Sequence, residues 1–262
     1  MISGEETRHT FQQDGFVIVR GLLSPEETAL LGEVARADKE LAQSAYGRED
    51  AEGTVVTLAV RNELIDDTYS AIARSERIIS RMTDFLGDEV YHYHHKLILK
   101  EPRVGGAWEW HQDYGYWYSN GCLTPDMASC LIAIDQATPE NGCLQVLKGS
   151  HRIGRIDHAK TGDQTGADLE RVDVAKQRYE LVHVELAPGD AVFFHANLLH
   201  RSDRNSSDRP RWALICCYNT KSNDPYKESR HPRYSPLEAL ADDEVLRIAK
   251  RHLERTETES LA

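Results

Sequence analysis

The chain has 262 residues, 40% of them hydrophobic, and a formal net charge of −12 at pH 7. That length supports one domain with a substantial core, while the acidic balance, with no basic face, makes nucleic acid and anionic membrane poor partners. No apolar run approaches the roughly 18 residues of a membrane span, and the charged start MISGEETRHTFQQ lacks the apolar core of a signal peptide.

In chain order, FVIVRGLL (16–23) is a predicted strand. Ser24-Pro25-Glu26-Glu27 then opens a helix: Ser24 can cap, Pro25 suits the first helical position, and Glu27 completes a capping box. This helix is predicted to reach about Ala45. A second runs from about Glu63 to Phe85, with Leu64, Ile65, Ile72, Ile78, Ile79 and Met82 at helical spacing and Gly87 as its stop. Beyond Gly87 the pattern turns to alternation, predicting strands at 90–99, 108–113, 129–135, 143–147, 181–186, 191–196 and 211–218. Turn signals separate them: Gly105-Gly106, Glu140-Asn141-Gly142, Gly149 and Pro188-Gly189-Asp190. The polar stretch 155–180 reads as an insertion or lid. Ser235-Pro236-Leu237-Glu238 resembles another capping box and opens a C-terminal helix over 236–256.

Two helices, a run of strands and a closing helix predict a mainly β protein with flanking helices, a double-sheet jelly roll forming a single domain over 1–262. Parallel α/β is disfavoured because helices do not alternate with strands. The five cysteines (Cys122, Cys130, Cys143, Cys216, Cys217) show no zinc spacing and read as reduced structural thiols of a cytoplasmic protein.

The chemistry is concentrated in WEWHQDYGYWY (108–118). On a strand, His111 and Asp113 would project to one face and Gln112 to the other, so the pair can grip one ion. A third ligand must come from elsewhere. Alternation puts His92 and His94 on one face of their strand; His151 reads as a turn residue; His195 and His200 flank ANLL. His200 stands out because Ser202 follows two residues on and Arg211 eleven residues on, opening the next strand. Two histidines and one carboxylate on one face of a metal form the triad of iron(II) oxygenases, which leaves positions for a 2-oxo acid and dioxygen. Arg211 offers a permanently charged fork for the far carboxylate of that acid, and Ser202 a hydroxyl.

These residues form a pattern. With FQQDGFVIVRGLLSPEE, WHQD, ENGCLQVLKGSH and PGDAVFFHANLLHRSDRNSSDRPRWALICCY, the chain over residues 10 to 220 resembles the phytanoyl-CoA dioxygenase family of Fe(II)/2-oxoglutarate oxygenases, which includes ectoine hydroxylase. The resemblance implies a double-stranded β-helix (cupin-like jelly roll). It also implies iron on His111, Asp113 and His200, and 2-oxoglutarate anchored by Arg211 and Ser202. In the family the strand before the HxD pair also reaches the cosubstrate, which makes His94 and Lys96 candidates. Relatives that halogenate carry a small residue in place of the carboxylate, so Asp113 points to hydroxylation of a small molecule by dioxygen, with succinate and CO2 released.

Tyr114, Tyr116, Trp117 and Tyr118 are the expected substrate wall, a surface suited to a cationic or zwitterionic molecule through cation–π contact. Arg201, Arg152, Asn219 and Lys221 are candidate polar contacts. Desaturation, cyclisation or demethylation by the same chemistry, a barrel that binds metal without turnover, and a cupin-like enzyme with another metal are the alternatives. Neither substrate identity nor oligomeric state is legible in the sequence.

Overall fold

The computed structural model describes residues 4–161 and 164–261. The chain enters through α1 (Gly4–Asp14), β1 (Phe16–Val19) and α2 (Pro25–Ala37). The capping box is present: Ser24 Oγ accepts the Glu27 N–H at 3.2 Å, and the Glu27 carboxylate accepts the Ser24 N–H at 2.8 Å. The helix expected to reach Ala45 breaks at Asp38, whose carboxylate accepts the Leu41 N–H at 2.8 Å and starts α3 (Lys39–Ser44). β2 (Tyr46–Glu49) and β3 (Val55–Arg61) follow.

The long helix predicted over 63–85 is two, α4 (Thr68–Ala73) and α5 (Glu76–Leu86). A distant segment imposes the break: Leu240 N–H donates to the Arg74 carbonyl at 2.8 Å and Glu76 N–H to the Leu240 carbonyl at 2.9 Å. Tertiary hydrogen bonds here override a continuous helical pattern.

The remaining elements are β4 (Val90–Lys100), β5 (Trp108–His111), α6 (Asp113–Trp117), β6 (Met127–Ala133), β7 (Leu144–Leu147), β8 (His158–Thr161) and β9 (Gln164–Ala167). Then come α7 (Leu169–Arg178), β10 (Leu181–Val184), β11 (Ala191–His195), β12 (His200–Ser202), β13 (Arg211–Thr220) and α8 (Asp242–Leu261). The C-terminal helix therefore starts at Asp242 rather than Pro236. The Ser235 segment stays irregular because Leu240 is held as a strand-like bridge to Ser75.

The strands form a seven-stranded sheet, β1-β11-β6-β13-β4-β3-β2, a four-stranded sheet, β10-β7-β12-β5, and the hairpin β8-β9, all antiparallel. This is the jelly roll with flanking helices. Alternation along β13 shows the layering. Leu214, Cys216 and Tyr218 pack with Leu31, Met82 and Phe85 under the helices, whereas Ala213, Ile215 and Cys217 face the interior between the sheets with Val146 and Phe194.

In β4 a bulge beside Tyr93 interrupts that alternation, since Cys217 pairs with His94 and Tyr218 with His92. His92 and His94 consequently face opposite sides, against the expectation from simple alternation. His92 meets His95 across 3.0 Å, and His94 meets Trp117. All five cysteines are buried free thiols. Among the described residues no helix is long and apolar enough to cross a membrane.

Candidate active site

Register brings the first two candidate ligands together. β12 lies antiparallel to β5 with His200 directly opposite His111, and the two imidazole centroids are 4.0 Å apart. β5 ends at His111, and Asp113 opens α6, so the pair does not lie on one strand as expected. The turn of chain at Gln112 still returns the carboxylate to the imidazoles. Asp113 Oδ1 stands 3.9 Å from His111 Nε2, and one ligand atom from each of His111, Asp113 and His200 lies within 4.8 Å of the others.

Hydrogen bonds fix which atoms point inward. His111 Nδ1 is 2.7 Å from the Glu109 carbonyl and His200 Nδ1 is 2.9 Å from the Leu198 carbonyl. A carbonyl oxygen only accepts, so both Nδ1 atoms carry the proton and both Nε2 lone pairs are free for a metal. Ser129 Oγ donates to Asp113 Oδ2 at 2.9 Å, leaving Oδ1 on the imidazole side. Burial holds both imidazoles below the usual range, His111 strongly so, while the Asp113 charge partly offsets the shift at His200. A neutral, buried pair of imidazoles with one carboxylate fits a divalent iron and leaves room for further ligands.

The ligand turn is clamped from outside by the 155–180 region, which holds β8, β9 and α7. Gln112 N–H donates to His158 Nε2 at 3.0 Å, and His158 Nδ1 donates to the Ile156 carbonyl at 2.8 Å. The Gln112 side chain donates to the Gly154 and Asn197 carbonyls at 2.8 Å each and accepts from the Ile156 N–H at 2.7 Å. Gly115 is required here, because a Cβ on it would sit 2.1 Å from the His158 ring. β5 is also an edge strand, and Gln164 closes that edge with its amide. It accepts from Glu109 N–H and donates to the Ala107 carbonyl, both at 2.9 Å.

Beside the triad a pocket is walled by Lys96, Ile98, Trp108, Phe194, Ser202 and Arg211, among others. Arg211 is buried at its far end and donates through Nε (3.1 Å) and Nη2 (2.5 Å) to the carbonyl of Gly142, a residue at φ +76°. Burial lowers the Arg211 pKa to about 10. Directly across the ladder from Arg211 is Lys100, fully buried, which donates from Nζ to Ser202 Oγ at 2.9 Å and to the Asp203 carbonyl. Burial, then the Arg211 charge, push the Lys100 ammonium well below its ordinary range. Two cations facing each other across a ladder repel, and an anion between them removes the penalty. Lys100 is absent from the sequence reading, which ends its strand at Leu99. Its signal was the lysine closing an apolar strand just before Gly105-Gly106, where a Cβ on Gly105 would lie 2.9 Å from the Lys100 Cα.

The other candidates are dispersed. Arg201 lines the pocket but is paired with Asp203 and lies 5.9 Å from the Trp110 ring centroid. Tyr116 packs 5.6 Å from the His111 ring and donates its hydroxyl to the Thr165 carbonyl. Tyr114 is turned away, donating to the Leu123 carbonyl at 2.6 Å, and Trp117 packs on Tyr93 and His94. His94 stacks near His231 with a buried, unpartnered Nδ1. None of these four side chains is among those walling the pocket; Trp108 and Phe194 supply its aromatic surface instead. Asn219 is buried in an Asn–Tyr network, and Lys221 pairs with Glu89.

Residues 11–213 match the model of the family described as phytanoyl-CoA dioxygenase (PhyH). The chain belongs to that family. It is thus an oxidoreductase of the iron- and 2-oxoglutarate-dependent oxygenase class, as the relatives indicate. An L-proline trans-4-hydroxylase of Streptomyces griseoviridis is 32% identical over 184 residues, spanning 64% of this chain and 68% of its own. An ectoine dioxygenase of Nocardia farcinica is 29% identical, over 83% of this chain and 78% of its own. In fold, the chain matches EctD from S. alaskensis, crystallised with 2-oxoglutarate and 5-hydroxyectoine. The TM-score is 0.77 at 24% identity, covering 92% of this chain and 88% of that one.

Proposed function

We propose that this enzyme hydroxylates an unactivated C–H bond of a small molecule, using Fe(II), 2-oxoglutarate and dioxygen. The observation that carries the proposal is the juxtaposition of a preorganised His111–Asp113–His200 group with Arg211 in the wall of one pocket, Lys100 standing directly across the ladder from Arg211 and bonded to Ser202 of that wall. His111 Nε2, His200 Nε2 and Asp113 Oδ1 would hold the iron. Arg211, Lys100 and the Ser202 hydroxyl would hold the far carboxylate of 2-oxoglutarate, the anion that relieves the repulsion between the two cations. Bound together, iron and 2-oxoglutarate supply an oxidative decarboxylation to succinate and CO2, in which one oxygen atom of O2 passes to the substrate and the other to succinate.

The chain's own residues orient and exclude. Ser129 keeps one carboxylate oxygen of Asp113 occupied, and the two backbone carbonyls keep the imidazoles in one tautomer. Ile98, Leu131, Phe194 and Ile215 keep the pocket dry around the reacting C–H bond. Arg201 stands in the pocket wall on the substrate side, with Tyr116 packed behind His111. Buried free thiols and the acidic surface fit a cytoplasmic enzyme.

The test is oxygen uptake and succinate release with Fe(II), 2-oxoglutarate and a panel that includes L-proline and ectoine. Stimulation by a compound whose product gains one oxygen atom supports the proposal. A product that has instead lost two hydrogens would move the enzyme to desaturation. No metal- and 2-oxoglutarate-dependent turnover with any compound, and no uncoupled succinate, would refute it.

A further inference from the structure

The expected substrate wall of Tyr114 and Trp117 suited a cation, yet these rings do not wall the pocket, and the groups that do carry the opposite message. Lys96 sits at the middle of β4, between Ile215 of β13 and Val60 of β3 in the ladder, and its side chain enters the pocket that holds His111, Asp113 and His200. It is half-buried, and among the described residues its ammonium has neither a carboxylate nor a hydrogen-bond acceptor as partner. The groups around it are histidines: its charge opposes protonation of both His94 and His231, which pack against each other with ring centroids 5.2 Å apart.

Counting charge around the pocket sharpens the point. Among the described residues, Asp113 is the one carboxylate of its wall, whereas Arg201 is already neutralised by Asp203. Arg211 and Lys96 remain, and a ferrous ion would add two positive charges. A 2-oxoglutarate dianion cancels only part of this, even with Lys100 left uncharged. A positive charge therefore survives in a site of low dielectric, where an unpaired cation is costly.

Resting on the iron and 2-oxoglutarate reading, we propose that Lys96 is the substrate anchor and that the substrate is an anion, a small molecule presenting a carboxylate to Lys96. Arg211 and Lys100 take the cosubstrate at the far end, and Lys96 fixes the substrate's charged end beside the metal, so that a C–H bond a few atoms away is the one presented. Cationic amines without a carboxylate are rejected by the same charge.

A carboxylate near Lys96 has two sources, the substrate or the metal-binding end of 2-oxoglutarate, and one anaerobic experiment separates them. Wild type, Lys96→Met and Lys96→Arg are each loaded with Fe(II) and 2-oxoglutarate, and the visible charge-transfer absorbance of that complex is titrated with L-proline, acetate and L-prolinamide. The inference expects L-proline or acetate to perturb the wild-type band while the amide does not. Lys96→Met should weaken the carboxylate probe by about tenfold or more, with 2-oxoglutarate affinity changed less than about twofold and Lys96→Arg largely restored. If Lys96→Met weakens 2-oxoglutarate itself, if the amide binds like the acid, or if no carboxylate perturbs the wild type, the inference is overturned. A wild type that never forms the band would bring down the iron and 2-oxoglutarate reading, and this inference with it.

Discussion

The two ends of the pocket are built differently. The metal end rests on β5 and β12, short strands of the smaller sheet, and β5 is an edge. Its ligands hold their places through added bonds: carbonyls behind both imidazoles, Ser129 behind Asp113, and His158, Gln164 and the Gln112 side chain around the ligand turn. The anion end rests on β4 and β13, the longest strands, paired over their length at the centre of the large sheet. The ladder itself places Arg211 and Lys100 opposite each other, and the Gly142 carbonyl, Ser202 and the Asp203 carbonyl then hold their side chains. Short edge strands give open access to a metal and must be stapled; a long central ladder gives a rigid anchor for a charge.

The largest effects should fall at the metal end. His111→Ala or Asp113→Ala removes a ligand and should lower Fe(II) affinity by more than about 100-fold, since loss of even an outer partner of a ligand costs 10- to 100-fold. Equilibrium dialysis and 2-oxoglutarate-dependent succinate release read this. At the anion end, Arg211→Met should raise KM for 2-oxoglutarate by about 100-fold and Lys100→Met by about tenfold. Both should shrink the preference for 2-oxoglutarate over 2-oxobutyrate, which lacks the far carboxylate. Equal losses with both keto acids would show a general structural defect instead.

The clamp predicts a smaller effect of a different kind. His158→Phe removes the acceptor for the Gln112 N–H while keeping a ring, and should weaken Fe(II) binding by about tenfold with KM for 2-oxoglutarate nearly unchanged. Gly115→Ala, which drives a methyl into the His158 ring, should be partly rescued by His158→Ala. Failure of that rescue would uncouple the hairpin from the metal end.

The smallest expected effect is on pH and stability. Burial holds His92 and His95 well below the ordinary histidine value of about 6.5, to about 3 for each. The unfolded chain therefore binds protons that the folded one refuses, and stability is lost as pH falls below 6.5 toward the folded values. The urea midpoint should drop across that window, with a shallower slope in His95→Gln. A midpoint independent of pH there would contradict the burial argument.

Much of this architecture was legible because local rules govern it. Ser24 and Glu27 announce a helix start that no tertiary contact overrides, and the alternation in RWALICCY places Arg211 correctly at the head of a strand. What was hidden depends on contacts between distant segments. The break at Ser75 is made by Leu240, the bulge at Tyr93 by pairing with β13, and the late start of α8 by the same Leu240 bridge. Lys100 was missed because only the β4–β13 register reveals that it faces Arg211. Tyr114 and Trp117 follow directly on the predicted 108–113 strand, but Asp113 begins a helix, and their side chains turn to the Leu123 carbonyl and to Tyr93 and His94 instead of facing the pocket.

The central claim is that two imidazoles and one carboxylate hold a ferrous ion that presents 2-oxoglutarate toward Arg211. Its most direct test is anaerobic titration of the wild type and His200→Ala with Fe(II) and 2-oxoglutarate, followed in the visible. The account predicts an absorbance band that needs both additions, saturates near one equivalent of iron per chain, and is absent in His200→Ala. A wild type without the band, or a variant that keeps it at full strength, would contradict the account.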